Sequence, residues 1–252
     1  MEPILKVTDL SKSFSRAGKN EFYAVNHVSF EVMPGEILGI VGESGSGKST
    51  IAKLITRQID ATTGTIEIDG QDITGLKGRQ LIPVYSKIQM VFQTPIGSFD
   101  PRRTLGDGIC ESLRNKGVPK AEREDKARGL LEQCGLSAEF LERYPHQVSG
   151  GQCQRAAIAR ALMCDPRILV FDEATSALDV TVQKQIIELL QQLQEEKKIA
   201  YLFICHNLAL VQQLCDKVIV LYDGKIVEEG TPDDVILHPR SEYAKRLIDA
   251  IF

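Results

Sequence analysis

A chain of 252 residues can bury roughly three quarters of the surface its unfolded form exposes, so a full hydrophobic core is available. With 43% hydrophobic and 25% charged residues it is neither disordered nor fibrous, and its length suits one large domain or one domain carrying an inserted subdomain. The net charge of −4 argues against a nucleic-acid-binding face as the main function.

The segment Met1-Glu2-Pro3-Ile4-Leu5-Lys6 lacks the basic region and long apolar run of a signal peptide. No apolar stretch approaches the ~18–20 residues of a membrane span. The six cysteines form no C-x-x-C pair. Cys134, Cys164 and Cys205 lie in apolar patterns and read as core thiols, and a reduced, cytosolic chain is the simplest reading. The four histidines are not spaced as metal ligands.

In chain order, residues 4–10 and 25–32 read as strands, the second alternating with Val28, Phe30 and Val32 on one face. Between them lies a polar turn over 15–20, with Phe14 just before it and Phe22 and Tyr23 just after. An aromatic ring here has the chemistry to stack on adenine, and equally to cover a hairpin. Residues 36–41 form a buried strand that runs into Gly42-Glu43-Ser44-Gly45-Ser46-Gly47-Lys48-Ser49-Thr50, a full match to G-x-x-x-x-G-K-[ST]. The glycines let successive N–H groups point inward at phosphate oxygens, Lys48 adds a charge for the outer phosphates, and Ser49 offers a hydroxyl to Mg²⁺. A helix to about residue 58 should start here, its N-terminus favouring the anion. A short strand over 65–70 ends in Asp-Gly, a hairpin signal, and residues 87–93 read as another buried strand.

Residues 94–147 hold no strong strand. A helix is expected over 105–115. A clearer one spans 121–134, with Ala127, Leu130, Leu131 and Cys134 on one stripe and Glu122–Lys126 and Glu124–Arg128 as i,i+4 pairs. This stretch reads as an inserted helical subdomain. Ser149-Gly150-Gly151-Gln152 opens the next helix, which runs to about residue 163. The apolar strand 168–171 is capped by Asp172-Glu173 and suits a parallel sheet covered on both faces. A helix over 182–195, a strand over 200–205 ending at His206, a helix over 208–215, a hairpin around Asp223-Gly224 and a C-terminal helix over 242–251 complete the chain. Strands alternating with helices indicate an α/β domain whose core sheet is largely parallel, with ligands bound at the strands' carboxyl ends.

Three polar sites fall at such ends: Gln93, Asp172-Glu173 and His206. Asp172 fits a carboxylate that orients Mg²⁺ through water, and Glu173 one that polarises an attacking water. Gln93 has the chemistry to bond the metal or the water, against the plainer reading of a polar strand terminus. A lone His206 at a strand end is more often structural; at this edge its N–H could register the γ-phosphate. Ser149-Gly150-Gly151-Gln152 is a second glycine-rich helix start without a lysine. It reads either as an ordinary helix cap or as a cradle that closes on a nucleotide held by another copy.

Taken as an ordered set, the phosphate loop 42–50, Gln93, Ser149-Gly150-Gly151-Gln152, Asp172-Glu173, Ser176-Ala177-Leu178-Asp179 and His206 resemble the ATP-binding cassette ATPases over nearly the whole chain. The resemblance implies an α/β P-loop NTPase core spanning 1–252, with an N-terminal antiparallel β subdomain, an inserted helical subdomain over 94–165 and a short helical extension over 231–252. It implies ATP and Mg²⁺ as cofactors, with Ser49, Gln93 and Asp172 as metal partners. Gly42, Ser44, Gly45, Gly47, Lys48, Ser49 and Thr50 would hold the phosphates. Glu173 is implied as general base, His206 as γ-phosphate sensor and Phe14, ahead of Tyr23, as the adenine-stacking ring. Ser149, Gly150, Gly151 and Gln152 match the signature that meets the partner's ATP, and Asp179 belongs to the loop crossing the dimer interface. Val148, Cys153 and Asn207 depart from the usual residues without removing a group needed for hydrolysis.

Residues 89–102 and His238-Pro239-Arg240-Ser241-Glu242-Tyr243-Ala244-Lys245-Arg246-Leu247 are similar to importers of the oligopeptide, dipeptide and nickel group. That group implies two transmembrane permease subunits, a second ATPase (a different one, or a copy of this chain) and an extracytoplasmic binding protein. It also implies a peripheral place on the cytoplasmic face of the membrane, no nucleic acid, and peptides or nickel as cargo. The cysteine-rich tail of many members is not expected here. The rival reading is a non-transport cassette of the DNA-repair or translation type, which usually brings long coiled-coil inserts or two cassettes in one chain.

Overall fold

The computed structural model describes residues 2–15, 21–174 and 178–249. The polar turn expected at 15–20 and the Ser176-Ala177 pair fall mostly or wholly outside these residues. Strands β1 (Leu5–Phe14) and β2 (Phe22–Val32) pair antiparallel, β3 (Ile37–Val41) enters the phosphate loop, and α1 (Lys48–Ile55) leaves it. Then come β4 (Thr63–Ile68), β5 (Gln71–Asp72), α2 (Ile82–Lys87) and β6 (Ile88–Val91). The helical stretch holds α3 (Leu105–Ile109), α4 (Glu111–Asn115), α5 (Lys120–Gln133) and α6 (Gly150–Leu162). Strand β7 (Ile168–Asp172), α7 (Val180–Lys197), β8 (Ala200–Ile204) and α8 (Leu208–Leu214) follow. Strands β9 (Lys217–Tyr222) and β10 (Lys225–Gly230), then α9 (Pro232–Leu237) and α10 (Glu242–Asp249), complete the order.

The strands form two sheets. One is antiparallel in the order β2-β1-β4-β5; the other runs β10-β9-β3-β8-β7-β6, parallel except for β10 at its edge. The parallel strands are mostly apolar because both faces are covered, with Gln89, Asp172 and Lys217 as the polar exceptions. Alternation sorts their side chains between two cores. Leu38, Ile40, Val170, Leu202 and Ile219 join α1 and the antiparallel sheet. Ile37, Val41, Phe171, Tyr201 and Phe203 face α6, α7, α8 and the inserted helices. Both two-residue Asp-Gly turns carry positive φ at each position (57° and 70° at Asp69-Gly70, 47° and 74° at Asp223-Gly224), as a twisted hairpin requires.

Some local expectations are corrected. The helix expected over 105–115 is two short ones meeting at Cys110. Its first part is weakened by Gly106 and Gly108, and at Gly108 an added Cβ would lie 2.6 Å from the Phe99 ring. Lys126 pairs with Asp165 rather than Glu122, whereas Arg128 does reach Glu124 at 3.8 Å. A surface lysine takes whichever carboxylate tertiary packing brings near. Cys134 and Cys205 are core thiols, but Cys164 is half-exposed, and Cys110, Cys153 and Cys215 are buried instead. Helix α2 was not anticipated in a segment without clear periodicity. Helix α9 was not expected either, although its start is encoded locally: Thr231 caps it by accepting from the Asp234 N–H at 3.2 Å, with Pro232 at the first helical position.

Candidate active site

The site begins where β3 ends. The loop turns through positive φ at Gly42, Gly45 and Gly47. A Cβ at Gly42 would lie 2.2 Å from the Leu221 carbonyl oxygen, and one at Gly47 would lie 2.1 Å from that of Ala24. The loop is thus wedged against β9 and β2 so closely that only glycine fits. Gly47 is the N-cap of α1 and supplies no side-chain acceptor, so the first N–H groups of the helix stay available to an anion.

Lys48 is 4% exposed, and its ammonium donates to the Gly42 and Glu43 carbonyls, each at 2.8 Å. Two of its three N–H groups are used on the loop itself, leaving a third for a ligand. Burial lowers its pKa, opposed by the charges of Glu173 and Asp172. The Ser46 hydroxyl is buried with no hydrogen-bond partner among the described residues. An orphaned hydroxyl, a buried ammonium and uncapped helix amides together fit a polyphosphate.

Asp172 is the last residue of β7 and accepts from the Ser49 hydroxyl at 2.9 Å. Burial raises its pKa, with the Ser49 bond pulling the other way. This carboxylate–hydroxyl pair is an all-oxygen donor set suited to Mg²⁺. Glu173 adopts φ 52°, a left-handed conformation uncommon for a residue with a side chain. Its N–H donates to the Ile204 carbonyl at 2.9 Å, which fixes it between β7 and β8. Gln93 donates its Nε2–H to Glu173 Oε2 at 2.9 Å, and His206 Nε2 contacts Glu173 Oε1. The other ring nitrogen, Nδ1, lies 3.2 Å from the Gly42 carbonyl oxygen and donates there, since a carbonyl only accepts. Four separate strand ends are thereby drawn into one network: Gly42, Gln93, Glu173 and His206.

An open cavity of about 290 Å³ joins this network to the loop, lined by Phe14, Phe22, Ser44, Gly45, Gly47, Lys48, Ser49, Thr50 and Glu173. Phe14 and Phe22 are register partners across β1 and β2, with ring centroids 6.0 Å apart. Tyr23 points to the other face of β2 and does not line the cavity. Both phenylalanines therefore line the cavity, where the sequence had set Phe14 ahead of Tyr23 as the adenine-stacking ring.

The second glycine-rich start is not brought to this loop. Ser149 forms a reciprocal cap with Gln152: its hydroxyl accepts from the Gln152 N–H at 3.2 Å, and Gln152 Oε1 accepts from the Ser149 N–H at 2.9 Å. Gly151 packs on α7, where an added Cβ would lie 2.5 Å from Val182 Cγ1, while Gly150 has, among the described residues, only Leu178 nearby, at 3.9 Å. Asp179 caps α7 through the Val182 N–H at 3.0 Å. Asn207 caps α8, accepting from the Ala209 and Leu210 N–H groups at 3.0 and 3.3 Å, work an aspartate would also do. Cys153 is fully buried, and burial pushes its thiol up to about 11.

Sequence reasoning missed Tyr243, whose hydroxyl accepts from the Glu43 N–H at 2.9 Å across 200 positions. No local spacing signals such a contact.

Comparison with known proteins places the chain in a family. The ABC transporter family model matches residues 25–176, more than half of the chain. The chain is 42% identical to the oligopeptide transport ATP-binding protein OppF of Streptococcus mutans, over 98% of its own length and 81% of that protein's. It is also 42% identical to the di/tripeptide transport ATP-binding protein DppF of Pseudomonas aeruginosa, over 99% and 79% of the two lengths. Among solved structures, the dimeric post-hydrolysis cassette MJ0796 bound to ADP and Pi superposes with a TM-score of 0.83 at 31% identity, covering 90% of this chain and 98% of that one. CbiO1 from Clostridium perfringens, part of the CbiONQ transporter complex, gives 0.84 at 26% identity, covering 94% and 92%. The chain belongs to the ABC transporter family.

Proposed function

We propose that this chain is the ATP-hydrolysing subunit of a membrane importer of peptides, in which two cassettes close on two MgATP and that closure drives uptake. The observation that carries the chemistry is the convergence of Gln93, Glu173 and His206 beside the phosphate loop. Peptide cargo is supported by the relatives' names and their identity over nearly the full chain.

In this reading Lys48, held by its two loop carbonyls, turns its third N–H to the outer phosphate oxygens, and the N–H groups at the start of α1 hold the rest of the triphosphate. Ser49, Gln93 and, through water, Asp172 would hold Mg²⁺, which when bound neutralises charge on the phosphates. Glu173 orients a water and takes its proton as the water's oxygen bonds to the γ-phosphorus. The bond from that phosphorus to the bridging oxygen breaks, giving ADP and phosphate. His206, already facing Glu173 from the opposite side to Gln93, is placed to donate to the γ-phosphate. Ser149, Gly150, Gly151 and Gln152, which open a second glycine-rich helix start away from Lys48, act on the second cassette's ATP, with Asp179 at the crossing between the two. Phe14, with Phe22, stacks on adenine.

The helical insertion over 94–165 is proposed as the face that meets the two membrane subunits. A groove of about 460 Å³ opens between β6 and α4, lined by Tyr85, Phe92, Glu111 and Arg160 among others, with exposed Ile82 and Ile96 close by in sequence. Attachment through partners also suits a chain in which, among the described residues, no helix is long and apolar enough to cross a membrane. The second cassette is either a copy of this chain or a different one.

Glu173→Gln keeps the shape of the side chain but cannot accept the proton. It should lower ATP turnover by about 10²–10⁴-fold while leaving ATP-driven association of cassettes intact. Unchanged turnover would sink the base assignment. Isolation of the tagged chain with two membrane subunits supports import; isolation with soluble partners alone removes that part of the reading.

A further inference from the structure

The phosphate loop is held from outside by the last part of the chain. The Gly224 N–H, in the turn between β9 and β10, donates to the Ser46 carbonyl at 3.0 Å. At the front of the same loop the Glu43 N–H donates to the Tyr243 hydroxyl of α10 at 2.9 Å. Glu43 is also a residue whose carbonyl accepts from the Lys48 ammonium, at 2.8 Å. A single residue therefore joins the two side chains, its N–H bound to the phenol and its C=O bound to the ammonium.

Tyr243 is itself firmly fixed. It is 6% exposed, and its ring lies 4.2 Å from that of Tyr222, centroid to centroid. The start of α10 is tied to β10 through Glu228, whose two carboxylate oxygens accept from the Arg240 and Ser241 N–H groups at 2.8 Å each. The anchor is a strand of the main sheet, so the hydroxyl has a defined place relative to the loop. The matched family residues end at 176, so this contact comes from a segment outside that match.

We propose that Tyr243 is a positioning residue of the nucleotide site: by holding Glu43, the C-terminal helix sets the phosphate loop and Lys48 in place before ATP arrives. The inference rests on the reading of residues 42–50 as the ATP site. An isolated glycine-rich loop samples many backbone states, and ordering even one residue at the moment of binding weakens affinity severalfold. A hydrogen bond present in the nucleotide-free chain moves that ordering into folding. Losing it should therefore act on KM and leave the chemical step alone.

The test is Tyr243→Phe, which keeps the ring on Tyr222 and removes only the hydroxyl, with Lys48→Ala as control. Both are made in the full chain within the assembly it co-purifies with. Readouts are steady-state ATPase, equilibrium binding of radiolabelled ATP, and the thermal midpoint without nucleotide. Tyr243→Phe should raise KM and the dissociation constant about fivefold with kcat held within about twofold. Unchanged KM overturns the proposal. So does a fall in kcat that tracks a lowered thermal midpoint, which is the signature of packing alone. Lys48→Ala should abolish tight ATP binding; if it binds ATP like the wild type, the reading of the loop fails, and that result is distinct from a silent Tyr243→Phe.

Discussion

The two glycines that open α6 are predicted to fail in different ways. At Gly151 an ideal Cβ would lie 2.5 Å from Val182 Cγ1, well inside the roughly 3.5–4.0 Å of a carbon–carbon contact. Val182 is β-branched and helical, so it has little rotamer freedom with which to retreat. Overpacking of this kind costs ~1–3 kcal/mol, of which better helix propensity returns up to ~1 kcal/mol. A net loss of ~1–2 kcal/mol in a domain of this size lowers the thermal midpoint by about 2–8 °C. Gly151→Ala combined with Val182→Ala should be less harmful than the sum of the two, with a coupling of about 1 kcal/mol or more.

Among the described residues Gly150→Ala meets only Leu178 Cδ2, at 3.9 Å, so its thermal midpoint should stay near the wild-type value. A methyl group there nevertheless stands in front of the exposed helix start. If that start receives the second cassette's phosphates, turnover of the assembled dimer should drop about tenfold or more. Differential scanning calorimetry and ATPase rates on the four variants decide the matter. A Gly150→Ala dimer with full turnover refutes the cradle. A Gly151→Ala chain as stable as the wild type, or strictly additive with Val182→Ala, refutes the packing argument.

Asp172→Asn keeps an acceptor for Ser49 and removes a charge that burial disfavours, so melting should show equal or greater stability while Mg²⁺-dependent hydrolysis is lost. Phe14→Ala should raise the KM for ATP severalfold, whereas Tyr23→Ala, on the other face of β2, should leave it unchanged in the same assay. Glu228 carries a lowered pKa: burial would raise it, but the N–H groups of Ser241 and Arg240, with the Ser241 side chain and the Arg240 charge, outweigh that. Its stabilising contribution is therefore present above about 4.5, the unfolded value, and lost as the pH falls through the lower native value. Amide exchange in α10 should accelerate over that acid window, and Glu228→Gln, which keeps one acceptor oxygen, should bring part of the loss to neutral pH.

Much of the fold was legible because its signals are local. Apolar runs marked β3, β7 and β8, whose two buried faces need no polar alternation. Asp-Gly pairs marked both hairpin turns, and the Ser149 and Thr231 starts carry their own capping chemistry. The stretch between β4 and β6 was opaque because α2 is short and lacks a clear stripe. The split at Cys110 and the choice of Asp165 by Lys126 were equally hidden, since both depend on what packs against the helix from elsewhere.

By itself the sequence marked 42–50 as a phosphate loop, because the motif's glycines, lysine and serine lie within one short segment. It also placed Gln93, Asp172, Glu173 and His206 at strand ends. Only the tertiary structure decided that Gln93 and His206 bond the same carboxylate from opposite sides, that Phe22 shares the cavity with Phe14, and that Tyr243 reaches Glu43. Those contacts join residues from 8 to 200 positions apart. Their existence follows from strand order and helix docking, which place side chains in space by burying apolar faces, and no spacing along the chain encodes the result.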